Sequence, residues 1–79
     1  DELYLLTELQ ELLNEALSKL PETYRIIFEM SKLENKSNIE IAETLQIPLR
    51  SVERYKAKVM EALKKDLKDY LPLLLCFLN

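Results

Sequence analysis

Arg50 and Arg54 stand one helical turn apart, with Ser51, Glu53, Ala57 and Lys58 beside them. Laid out at about 100° per residue, these six residues share one side of a helix. A guanidinium pairs bidentately with the O6 and N7 of guanine, so both arginines are candidates for contact with DNA base edges. Glu53 could accept from the amino group of cytosine, or could orient either arginine. Ala57 keeps the face flat enough for close approach. Lys58, Lys64 and Lys65 suit phosphate oxygens. So do Lys36, Ser37 and the amides that open the helix following them. The competing reading is a solvated surface helix with Arg50–Glu53 and Glu61–Lys65 ion pairs along it.

The elements that must position this face can be read from apolar spacing. Leu3, Leu6, Leu9, Leu13, Ala16, Leu17 and Leu20 recur at three- and four-residue steps, predicting one buried stripe on a long first helix, widened by Leu5 and Leu12. Pro21 suits the first turn of a second helix, along which Tyr24, Ile27, Phe28 and Ser31 follow, with Leu33 near its end. Glu34-Asn35-Lys36 is a polar connector. Ser37-Asn38-Ile39-Glu40 fits a capping box and predicts a short third helix over about Asn38 to Leu45. Gln46-Ile47-Pro48 forms a turn. A fourth helix is expected from about Leu49 to Asp69, stopping before Pro72.

Two helices so joined, the second basic on one side, outline a helix-turn-helix. Such a unit needs buried residues at set offsets. With Ala42 at the close approach of the two helices, Ile41, Leu45, Ile47, Val52 and Tyr55 fall at buried positions. Leu49, Val59, Met60, Ala62 and Leu63 continue the apolar side. Lys56 lies toward that side too, where its stem would snorkel. The turn favours glycine because its backbone tends to positive φ. Gln46 stands there instead, at a cost of about 1–2 kcal/mol.

The inventory excludes much else. The 79 residues include no Gly, no His, three Pro and one Cys. That composition favours helix throughout and allows one all-α domain of four or five helices over residues 1–79. With neither a His nor a Gly-rich loop, the expectation is no enzyme, no cofactor and no metal. The one cysteine, Cys76, reads as a small core residue. No signal peptide is expected, because the chain opens Asp1-Glu2 where a basic segment would stand, and no membrane span, because the apolar run Leu71–Leu78 is too short to cross a bilayer. The run reads as a cap over the first helix or the bundle end or, less economically, as a contact with a partner or a second copy. A cytoplasmic protein is the default.

The formal net charge of −3 conceals a segregation. Asp1 to Glu34 holds eight acidic residues against Lys19, Arg25 and Lys32. Pro48 to Lys68 holds seven basic residues against Glu53, Glu61 and Asp66. Positive charge thus collects on the helix that would need it.

Leu20-Pro21, Arg25, Phe28, Ser31, Ser37, Glu40-Ile41-Ala42, Leu45, Ile47 and Ser51-Val52-Glu53 together resemble region 4 of bacterial sigma factors, of the extracytoplasmic-function type. Leu67 to Pro72 followed by leucines is similar to members from the Bacteroides lineage. The resemblance covers about Leu13 to Leu75. It departs from the family's pattern at Gln46, usually Gly, and Pro48, often Ser. It implies a four-helix domain whose recognition helix reads the −35 promoter element in double-stranded DNA, through Arg50, Ser51, Glu53, Arg54 and Ala57. It implies that other helices hold the flap of the RNA polymerase β subunit, and that an anti-sigma factor can mask the domain. Since region 2 of the family is missing, the chain reads as one domain of a longer protein.

Two other readings use the same residues. One is the output domain of a two-component response regulator, which shares the Ser-Val-Glu style of recognition helix but lacks the leucine-proline element. The other is a helical protein-interaction module, with the leucine-rich first helix and apolar tail as its surface.

Overall fold

A computed structural model describes residues 2–72 of the chain. It contains α1 (Glu2–Ser18), α2 (Glu22–Lys32), α3 (Asn38–Leu45), α4 (Leu49–Asp66) and a short 3-10 helix (Lys68–Tyr70). No strand occurs among the described residues, and none of their helices is long and apolar enough to cross a membrane. Cys76 and most of the apolar run Leu71–Leu78 lie outside the described residues, although Leu71 packs against the core.

Each boundary has a local cause. The Ser18 hydroxyl turns back to the Glu15 carbonyl at 2.6 Å, and Pro21 follows. Pro21, at φ −54° and ψ 147°, caps α2 instead of entering its first turn. Its carbonyl accepts from the Tyr24 amide at 3.0 Å. Past α2 the backbone turns left-handed at Asn35, φ 54°, and the Lys36 amide returns to the Met30 carbonyl at 2.9 Å. The capping box forms as expected. The Ser37 amide donates to Glu40 Oε1 at 2.8 Å, and the Glu40 amide donates to Ser37 Oγ at 3.1 Å. Gln46 takes the left-handed conformation, φ 56° and ψ 47°. The Ile47 amide then reaches the Ala42 carbonyl at 3.1 Å. Pro48 precedes α4 with no side-chain cap, since its ring offers no acceptor. α4 ends at Asp66, three residues before the expected Asp69, because the chain tightens into the 3-10 turn at Lys68.

The core has two clusters. Leu9, Leu13, Ala16 and Leu17 of α1 pack with Phe28, Val59, Leu63 and Leu67. Ile27 and Met30 of α2 pack with Ile41 and Val52, ringed by half-buried Ala42, Leu45, Ile47 and Tyr55. α2 serves both clusters, turning Phe28 to one and Ile27 and Met30 to the other. The expected stripe on α1 is therefore buried only in its second half. Leu3 (72% exposed), Leu5 and Leu6 (57%) are exposed and belong to neither core cluster. Leu33 and Leu49, expected on apolar sides, are likewise exposed, each lying at a helix boundary.

Candidate nucleic-acid interface

α3, the left-handed turn and α4 make the helix-turn-helix. Ile41 and Val52, one from each helix, are fully buried in the same cluster and set the crossing. With α4 fixed through Val52, Val59 and Leu63, its opposite side must face solvent. Arg50, Glu53, Arg54, Ala57, Lys58 and Lys64 are all exposed there, and Ser51 is half-buried at the edge. This brings the six α4 residues singled out from sequence onto one accessible surface, with Lys64 further along it.

The face is not laced by the ion pairs that a solvated helix would use. Among the described residues neither Arg50–Glu53 nor Glu61–Lys65 lies within 4.0 Å, and Glu53 orients neither arginine. Instead, the Arg54 guanidinium carbon lies over the Tyr55 ring, 5.3 Å from its centroid.

The start of α3 is more committed. Lys36 Nζ stands 3.8 Å from Glu34 Oε1, so this cation is shared with a carboxylate. Ser37 is exposed, but its oxygen and amide both serve the capping box. The hydrogen bond from the Ser37 amide holds the Glu40 carboxyl below its ordinary value, keeping a negative charge at this helix start. The first-turn donors left open are the Asn38 and Ile39 amides.

Lys56 does more than snorkel. Its Nζ donates to Asn38 Oδ1 at 2.9 Å, tying the middle of α4 to the first residue of α3. Burial, and then the nearby Lys32 charge, lower its pKa. The signal available in sequence was a lysine on an apolar side; its partner, eighteen positions away, had none. Tyr24 was also missed: its ring stacks on Tyr55 with centroids 4.9 Å apart. Tyr55 was assigned only to the core.

A second concave surface lies between α1 and α2, with a volume of about 370 Å³ and walls including Leu6, Leu9, Leu13, Phe28 and Leu33. It is apolar where the α4 face is charged. Among the described residues no group of three or more His, Cys, Asp or Glu side chains could hold a metal ion.

Residues 10–63 match the family model described as Sigma-70, region 4. Over 62 residues the chain is 36% identical to a protein of Bacillus subtilis (strain 168), the ECF RNA polymerase sigma factor SigW. The aligned stretch takes in 78% of this chain and 33% of that protein, so the chain spans about one third of the length of this relative. No solved structure matches.

Proposed function

Because the chain belongs to the sigma-70 region 4 family, of the extracytoplasmic-function type, we propose that it recognises promoter DNA in transcription initiation. In this reading α4 enters the major groove of the −35 element. Arg50, Ser51, Glu53, Arg54 and Ala57 meet base edges, while Lys58, Lys64, Lys36 and Ser37 meet phosphates. The observation that carries it is the exposed, unpaired Arg50–Arg54 face on the second helix of a capped helix-turn-helix. That geometry leaves both guanidiniums available without first breaking an ion pair. Sharing with Glu34 makes Lys36 the weaker of the proposed phosphate contacts.

The apolar groove between α1 and α2 supports the second half of the reading. A groove lined by leucines and Phe28 suits a helix from the RNA polymerase β flap, or from an anti-sigma factor competing for the same surface. The chain would then be one domain of a longer initiation factor that binds and does no catalysis.

A salt series on duplex binding tests the DNA half. Affinity for a selected duplex should fall steeply as salt rises, through counterion release. Selection from a random duplex pool, with core polymerase present, supplies the sequence. No measurable binding at low salt, by this chain or with polymerase, would end the reading and leave the protein-interaction module.

A further inference from the structure

The two arginines of the reading face are held differently. The Arg54 guanidinium is 5.3 Å from the Tyr55 centroid, within the ~6 Å over which an aromatic quadrupole holds a cation. Tyr55 is itself held, since Tyr24 of α2 stacks on it with planes 27° apart. Both rings are half-buried, and they belong to different core clusters, Tyr24 to the first and Tyr55 to the second. The ring beneath Arg54 is therefore fixed from both halves of the core. The Arg50 side chain, one turn earlier, has no hydrogen bond, ion pair or ring contact among the described residues.

We propose that the Tyr24–Tyr55 stack is a platform that presets Arg54, making Arg54 the arginine that discriminates between base pairs while Arg50 adapts to what it meets. This rests on the promoter reading above. The ring attracts the guanidinium through its charge and uses up none of its five N–H donors, so bidentate pairing with a base need not displace the contact. A side chain ordered before binding loses less rotamer freedom when it pairs. Discrimination gains as well, because a guanidinium held in place cannot swing away to relieve a wrong base. Tyr24 and Tyr55 are positioning residues and need not touch DNA.

Two measurements on this chain test the proposal. The first needs no DNA. Ring current from Tyr55 should move the Arg54 side-chain Hδ and Nε–Hε resonances upfield of those of Arg50, and Tyr55→Leu should abolish the difference. Equal shifts for the two arginines in the wild-type chain overturn the proposal. The second compares affinity for the selected duplex with that for a duplex altered at the base pair assigned to Arg54. Tyr55→Leu should lower this ratio about two- to fivefold, the fold-change that an exposed cation–π contact represents. It should change nothing further once Arg54→Ala is present. Tyr24→Leu should act in the same direction, less strongly. An undiminished ratio in Tyr55→Leu, or an equal drop with Arg54→Ala already in place, overturns the platform alone. Loss of all sequence preference in the wild-type chain overturns the promoter reading and the platform with it.

Discussion

Gln46 carries a Cβ in a backbone conformation where that atom crowds the following carbonyl oxygen, φ 56° and ψ 47°. The conformation costs about 1–2 kcal/mol for a residue other than glycine. Asn35, the other left-handed residue among those described, is of a type that tolerates it better. Gln46→Gly should remove the strain, and the looser unfolded chain should return roughly 0.5–1 kcal/mol of the gain. A net rise of about 0.5–1 kcal/mol in unfolding free energy is expected, read from the urea midpoint at unchanged slope. A lower midpoint would mean that the Gln46 side chain stabilises the turn by more than its backbone strains it. If α4 reads DNA as proposed, the residue-scale distinction along it is between base and phosphate. Arg54→Ala should cost about 1–3 kcal/mol on the preferred duplex and relax preference at one base pair. Lys64→Ala should weaken all duplexes alike and flatten the salt slope. Identical sequence profiles for the two variants would remove Arg54 from the base-reading set.

At the scale of the element, α3 is eight residues long and depends on its capping box. Ser37→Ala should destabilise the domain by about 1 kcal/mol. The Glu40 half of the box titrates. Its folded-state pKa lies below the ordinary value of 4.5, chiefly through the Ser37 amide. Its stabilisation is therefore complete above pH 4.5 and is lost as pH falls through the lowered value. Glutamine is a neutral acceptor that does not titrate, so Glu40→Gln should lower the neutral-pH urea midpoint slightly and soften its fall on acidification. An acid limb as steep as that of the wild type would show that other carboxylates carry it. This box was legible from four consecutive residues, as were α3 itself and the exposed side of α4, because a regular helix converts spacing directly into direction. Spacing says which side of a helix is apolar, not whether anything packs on it. Hence Leu3 and Leu6 continue the stripe of α1 yet face solvent. It is equally silent on pairs brought together only by the crossing of helices. Lys56 with Asn38, and Tyr24 with Tyr55, were each readable as residue types and unreadable as partners.

For the whole molecule, the distribution of charge matters more than its sum. α1 packs Leu9, Leu13 and Leu17 against Val59, Leu63 and Leu67, on the side of α4 opposite Arg50 and Ala57. The acidic residues Glu11 and Glu15, both exposed, thus belong to the body behind the reading helix. In the proposed docking their field must reach DNA through or around α4, and a helix about 10–12 Å across is wider than the ~8 Å screening length at physiological salt. In the docking proposed for α4, salt damps the repulsion between this acidic body and the polyanion while the proposed contacts are made at close range. The double substitution Glu11→Gln with Glu15→Gln should leave duplex affinity within about twofold at 150 mM salt, since exposed charges beyond a screening length interact weakly. At ten times lower salt the screening length grows about threefold, and the same substitution should then raise affinity clearly. Measuring both variants across that range separates distant charge from direct contact. A large gain that persists at physiological salt would place the acidic side of α1 against the phosphates and reverse the docking orientation assigned to α4.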